Sequence, residues 1–250
     1  MKIIDLHTHC NSGLKGDCAE SDLHKRNFSF LMQEYQACGI FAGGFSYYSA
    51  LFSSEGVFQS NALLHSQALN DDRVYQWLVL DPRQEIIFSQ IRELIKDSKV
   101  LGIKIHSLPE CHNYDIKEYA DQIFSFADEL KCAVLMHPDK ISDMVSFADK
   151  YEDVRLIIAH LGSLEHIEAI EKAKNGNIYT DTSGGASVFN NIIEYAVERV
   201  GSEKIFFGTD TYSCGYQVGR IKGARISKKD KENIFYNNAK KYFSEQLKNI

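Results

Sequence analysis

Proline is scarce in this chain, three residues in 250, and no linker or low-complexity tract interrupts it. Separate units on a flexible tether are not indicated, so one domain over residues 1–250 is expected. No apolar run approaches the ~18 residues that cross a bilayer as a helix, and no membrane partner is expected. Six cysteines (Cys10, Cys18, Cys38, Cys111, Cys132 and Cys214) are widely spaced and form no C-x-x-C pair. A disulfide framework is therefore not implied, and free thiols are expected. Positive charge is not in excess either: the formal net charge is −6, and Lys and Arg are scattered among Asp and Glu. Without a basic stripe there is no electrostatic footprint for nucleic acid. The opening residues carry no secretory leader pattern, which makes the cytoplasm the expected location.

Apolar residues make up 44% of the chain, enough for a large core. Short β-type runs alternate with longer stretches of helical spacing. Eight runs read as strands: KIIDLHTH, GIFAGGF, VYQWLVL, VLGIKIH, CAVLMH, VRLIIAH, NIYTDTS and EKIFFGTD. Helical spacing appears in FSFLMQEYQAC, around Leu63–Leu69, and in EIIFSQIRELIKDS, IKEYADQIFSFADEL, ISDMVSFADKY, SLEHIEAIEKAK and SVFNNIIEYAVERV. Runs apolar on both faces, such as RLIIAH, suit parallel strands covered by helices. The expected fold is α/β, a single (β/α)8 TIM barrel, regular or distorted. A doubly wound open sheet is the alternative.

Polar residues gather at the carboxyl ends of these strands: His7 and His9, Lys104 and His106, His137, His160, Asp181 and Asp210. In a barrel those ends form one mouth. On a strand, His7 and His9 point the same way, because side chains alternate. Each residue alone has a bland reading, a histidine bonded to a carbonyl or an aspartate capping a helix. Together, four histidines and an aspartate left unsatisfied would cost about 1–3 kcal/mol each. A shared divalent cation accounts for them with neutral imidazole donors.

The array resembles the amidohydrolase superfamily of metal-dependent hydrolases, in its amidohydrolase-related branch. The pieces that carry the resemblance are IDLHTH, LGIKIHS, VLMHP, LIIAHLG, IYTDTSG, KIFFGTD and IFYNNAKKYF, in that order along nearly the whole chain. The resemblance implies His7, His9 and His137 as metal ligands. It makes Asp210 a further ligand and the acceptor of a proton from bound water, and His160 a ligand to a second metal or the group that steers the water. A zinc-type ion lowers the pKa of bound water from about 15.7 toward about 7. Zn²⁺ is the favoured cofactor, one ion or two. Two are implied if Lys104 is carboxylated and bridges them; as an ammonium, Lys104 would pair with a carboxylate such as Asp181. His106 shares a strand face with Lys104 and is expected, with Tyr212, to contact a small-molecule substrate. A homodimer is a family-level expectation.

Weaker candidates are Cys111 and His112, read as exposed loop residues, and His24, His65 and His166, read as solvated or packing. Tyr47, Tyr48 and Tyr216 are, from their loop positions alone, candidates to line the pocket; Ser183–Gly185 could let the backbone approach a ligand but reads first as a strand-to-helix turn. The resemblance favours hydrolysis of an amide, ester or lactone. Its rival is non-oxidative decarboxylation of an aromatic or muconate-type acid, by enzymes expected to be longer, with Arg26 or Arg220 available to hold a carboxylate. A phosphoesterase of the polymerase-and-histidinol-phosphatase type fits less well, because Tyr212 stands where its terminal histidine belongs. A binding protein that has lost its metal is disfavoured by the intact ligand set.

Overall fold

The computed structural model describes residues 1–250, the side chain of Ala186 excepted. Eight strands form one sheet: β1 (Ile3–Cys10), β2 (Ile40–Tyr47), β3 (Val74–Val79), β4 (Val100–His106), β5 (Ala133–His137), β6 (Arg155–Ile158), β7 (Ile178–Asp181) and β8 (Ile205–Phe206). Each pairs in parallel with the next, in sequence order from β1 to β8. A doubly wound sheet would reverse its order at a switch point; this one does not, and the (β/α)8 barrel is the fold.

The helices of the outer layer begin and end where local chemistry dictates. They are α1 (Phe28–Cys38), α2 (Tyr48–Leu51), α3 (Val57–Asn70), α4 (Glu85–Leu94), α5 (Ile116–Glu129) and α6 (Met144–Lys150), followed by α7 (Leu164–Lys172), α8 (Ile192–Val200), α9 (Cys214–Gly223), α10 (Lys228–Glu232) and α11 (Asn238–Tyr242). The Asn27 side chain accepts from Phe30 N and starts α1, and Gly39, at φ +73°, ends it in the left-handed region that glycine enters without penalty. Asp115 caps α5 through Lys117 N, and Ile116, Ala120, Ile123, Phe124 and Ala127 bury the face toward the barrel. Each large side chain so covered contributes about 1.5–3 kcal/mol. SVFNNIIEYAVERV is α-helical only from Ile192, because Asn191 sits at φ +70° and breaks the turn before it. ISDMVSFADKY divides into a single 3-10 turn, Ile141–Asp143, and α6.

The barrel interior is apolar below and polar above. Ile4, Leu6, Tyr75, Trp77, Leu101, Leu135, Ile157 and Phe206 fill the lower half, and Phe243 and Leu247 seal it from beneath. Trp77 fits because Gly102 faces it. A Cβ at Gly102 would stand 2.2 Å from Ala133 O and 2.9 Å from the Trp77 ring. The indole N–H is satisfied by Leu6 O at 2.7 Å. This plug leaves only the carboxyl ends of the strands for polar side chains.

Candidate metal centre and active site

The centre is built across the seam where β8 meets β1. There β8 has only two residues of regular strand, and the chain continues as an irregular strap: Leu6 N donates to Phe207 O at 2.8 Å, and Thr209 N and Asp210 N donate to His7 O at 3.0 and 2.8 Å. Asp5 anchors the strap. Its carboxylate accepts from Thr209 N (3.1 Å), Thr209 Oγ1 (2.5 Å), His7 N (3.1 Å) and the Tyr35 hydroxyl of α1 (2.7 Å). On the other side, Thr211 Oγ1 bonds to His9 O and accepts from His9 N. Asp210 and Thr211 adopt φ +55° and +62°, and His160 φ +67°. Left-handed backbone at non-glycine residues costs about 1–3 kcal/mol and persists only where the surroundings impose it. All three positions lie at this mouth.

Three donor atoms converge. His7 Nε2 and His9 Nε2 are 3.1 Å apart, and Asp210 Oδ1 lies 3.2 Å from His9 Nε2 and 3.9 Å from His7 Nε2. Ligands held tetrahedrally at about 2.0–2.2 Å from an ion stand about 3.3–3.6 Å from one another. The trio therefore has the spacing of a cation site. The far nitrogens are already oriented: His7 Nδ1 meets Asp181 Oδ2 at 2.9 Å and His9 Nδ1 meets Ser46 Oγ at 2.8 Å. Metal-binding histidines are held in this way by a partner on the ring nitrogen away from the ion. A second trio, His7, His160 and Asp181, also brings its donor atoms within 4.8 Å of one another. In it Asp181 engages His7 through Nδ1, so it orients the ring.

Lys104 is fully buried, with Nζ 2.9 Å from His7 Nε2. The expected ion pair with Asp181 is not made. The Asp181 oxygens are engaged by His7, by Ser183 N at 2.8 Å and by the Ser183 hydroxyl, and no carboxylate among the described residues lies within 4.0 Å of Nζ. Burial lowers the amine's pKa to about 8. His106 and His137 line the same mouth with ring centroids 5.0 Å apart, and His137 stands 4.6 Å from His160. The Nδ1 atoms of His106 and His137 are buried without a protein partner. His160 reaches Asp210 from the far side, Nε2 to Oδ2 at 3.8 Å.

Two adjoining hollows of about 250 and 530 Å³ open here, sharing His137, His160, Asp210 and Tyr212. Arg26 and Tyr48 line the smaller one, with the guanidinium 5.3 Å from the Tyr48 ring. A hollow of about 690 Å³ at the opposite end of the barrel contains none of the sequence-predicted site residues. Several expectations are corrected. His112 is not exposed: it is 3% accessible and fixed through Nε2 to Ala50 O at 2.7 Å. Tyr47 belongs to the core, with its hydroxyl on Gln67. Arg220 is held by Glu194 at 3.1 Å and does not line either hollow. Asp5, Ser46 and Thr209 were missed by sequence reasoning, and Ser183 was read only as part of a Gly-rich turn. Only Asp5, a carboxylate inside an otherwise apolar run, carried a local signal.

The electrostatics favour neutral rings and an ionised acid. Burial, with the Lys104 ammonium next, lowers the pKa of His7 to about 3, and burial lowers that of His137 to about 3. Burial works against ionised Asp210, but His160 and His9 hold its carboxyl well below the usual range. Burial pushes Asp5 up to about 7. In the metal-free chain, unfolded His7 and His137 take up protons below about pH 6.5 while the folded rings stay neutral to about 3, so the unfolded state binds more protons in that window. Asp5 acts in the opposite sense between 3.8 and about 7, but it is one group against two. The urea midpoint of chelator-treated protein should hold near pH 7 and fall between pH 6.5 and 3. A midpoint that rises on acidification through that window would contradict the neutral-ring assignment.

A nearly closed parallel barrel with imidazoles and a carboxylate converging at its carboxyl mouth defines a TIM-barrel protein with a candidate cation site. The amidohydrolase family model matches residues 4–244, and the chain belongs to that family. Among solved structures, it is similar to 5-carboxyvanillate decarboxylase from Sphingomonas paucimobilis, with TM-score 0.76 and 13% identity over 97% of this chain and 99% of that one. A dihydroxybenzoic acid decarboxylase from Polaromonas sp. JS666, with bound manganese and 2-nitroresorcinol, matches at TM-score 0.71 and 15% identity over 97% and 96% of the two chains. A candidate 2-pyrone-4,6-dicarboxylic acid hydrolase from Pseudomonas putida matches at 0.70 and 16% over 98% of each. No curated protein sequence matches the chain. Coverage is nearly complete for decarboxylases and hydrolase alike, so it does not separate the two chemistries. At these identities the likeness establishes the fold.

Proposed function

We propose that the protein is a metal-dependent hydrolase that turns water onto an amide, ester or lactone bond of a small molecule. The observation that carries this reading is the division of Asp210: Oδ1 faces His7 Nε2 and His9 Nε2, and Oδ2 faces His160 Nε2. A divalent cation held by His7, His9 and Asp210, with His137 beside them, would supply Lewis acidity and an acidified water. Asp210 then accepts the water's proton and returns it to the leaving nitrogen or oxygen. His160, with Nε2 3.8 Å from Oδ2, orients the water by accepting its second hydrogen; His106 and Tyr212 bound the substrate. One ion fits the trio. Carboxylation of Lys104 would remove the cationic hydrogen bond to His7 and add an anionic ligand, making room for a second. Zinc suits these donors, and manganese, which the Polaromonas neighbour holds, suits them as well.

Arg26 at the rim favours a second reading, decarboxylation of a carboxylic acid that its guanidinium would grip. The deciding experiment is a screen of lactones, esters, amides and aromatic carboxylic acids with the metal-loaded protein in H₂¹⁸O. Hydrolysis places ¹⁸O in the product acid. Release of carbon dioxide without ¹⁸O in the organic product would overturn the hydrolytic reading in favour of the lyase.

A further inference from the structure

Ser183 occupies a junction to which the proposed reaction assigns no task. Its side chain is fully buried, 2.8 Å from His160 Nδ1 and 3.0 Å from His7 Nδ1, and its hydroxyl bonds to Asp181 Oδ1. A serine hydroxyl carries one hydrogen and two lone pairs, whereas an ionised carboxylate only accepts. Asp181 Oδ1 takes backbone hydrogens from Ser183 N at 2.8 Å and from His160 N at 3.3 Å, and so stands as an acceptor toward the hydroxyl. The single hydroxyl hydrogen therefore goes to Asp181, and the lone pairs are left facing two imidazole nitrogens, each of which must bear its own hydrogen. His7 can share its hydrogen with Asp181 Oδ2 at 2.9 Å. The His160 Nδ1 hydrogen has Ser183 as its partner among the described residues.

We propose that Ser183 is a positioning residue that fixes His160 as the Nδ1–H tautomer, turning the Nε2 lone pair toward Asp210, and that Asp181 ties this choice to the same tautomer in His7. The backbone is arranged to the same end. Asp181 Oδ1 also accepts from Ser183 N at 2.8 Å and from His160 N at 3.3 Å, which locks the left-handed turn at His160. Gly184, at φ +73°, lets the chain pass beneath the ring: a Cβ there would stand 2.9 Å from His160 Nδ1 and 3.3 Å from Asp210 Oδ2. A neutral imidazole otherwise exchanges between tautomers, and in the wrong one His160 presents a hydrogen where the reaction needs an acceptor.

The inference rests on the reading of His160 as the group that orients water, but its test needs no turnover. Protein labelled with ¹⁵N-histidine is measured metal-free and zinc-loaded by long-range ¹H–¹⁵N correlation, with His160 assigned by its loss in His160→Gln. His160 is expected to carry its proton on Nδ1 in the wild type and to move to Nε2–H or to averaged signals in Ser183→Ala. The same variant is expected to lose about 10–100-fold in kcat/KM, the range for partners that orient a site histidine. A wild-type His160 protonated on Nε2 overturns the proposal without any variant, so it stays decidable if Ser183→Ala does not fold. An unchanged His160 signal in folded Ser183→Ala overturns it too. Failure of the hydrolytic reading would show in the ¹⁸O experiment and leave the tautomer result standing.

Discussion

Asp210→Asn is expected to lower kcat by about 10²–10⁴-fold, the usual contribution of a positioned acid–base group. The amide keeps the shape of the carboxylate but cannot take a proton between His9 Nε2 and His160 Nε2, which lie 3.2 and 3.8 Å from its oxygens. Asparagine is also the right substitution for the backbone. Position 210 has φ +55°, a region that Asn and Asp enter more readily than other non-glycine residues. Asp210→Ala would confound lost chemistry with added strain. Steady-state kinetics on the substrate found in the screen, with metal content and thermal midpoint measured alongside, separate loss of the proton acceptor from loss of the ion. Retention of more than about a tenth of wild-type kcat would remove Asp210 from its role.

His7→Ala is expected to abolish stoichiometric metal and, with it, detectable turnover. His7 Nε2 belongs to the only trio of described residues in which Asp210 takes part, and its Nδ1 is bound by Asp181. Truncation removes a ligand and leaves a buried carboxylate short of one donor, at a cost of about 1–3 kcal/mol. Elemental analysis after dialysis against zinc or manganese gives the readout. His65→Ala, on α3 with its ring 3.8 Å from Asp97 and outside both hollows, serves as the control and should retain the ion. Full metal occupancy in His7→Ala would move the centre away from the β1 pair.

The fold was readable because its signals are periodic and local. RLIIAH is apolar on both faces, and eight strand runs between amphipathic helices leave few architectures. The mouth was readable because histidine seldom ends a core strand, and five of the nine histidines do so here. What escaped was whatever depends on approach across the barrel. Ser46 and Ser183 are ordinary residues in sequence. Each gains meaning only beside a histidine from elsewhere in the barrel: Ser46 of β2 meets His9 of β1, and Ser183 after β7 meets His160 just beyond β6. Lys104 was placed at the mouth correctly, but its partner was not: Asp181 is taken by the His7 ring and the Ser183 turn, and the amine meets His7 instead. His112 looked like a loop residue and is one, yet the loop folds back under α2 and buries it.

The strap after β8 has a bearing on biosynthesis. Asp5 and Thr209, the two sides of that joint, are 204 positions apart. While the ribosome is still adding the later βα units, the amino-terminal histidines have no carboxylate to complete their grip. An ion that needs His7, His9 and Asp210 together, as proposed, would be captured only once the last strand docks on the first. Metal uptake should therefore report ring closure, arriving as the final event of refolding and never as its trigger.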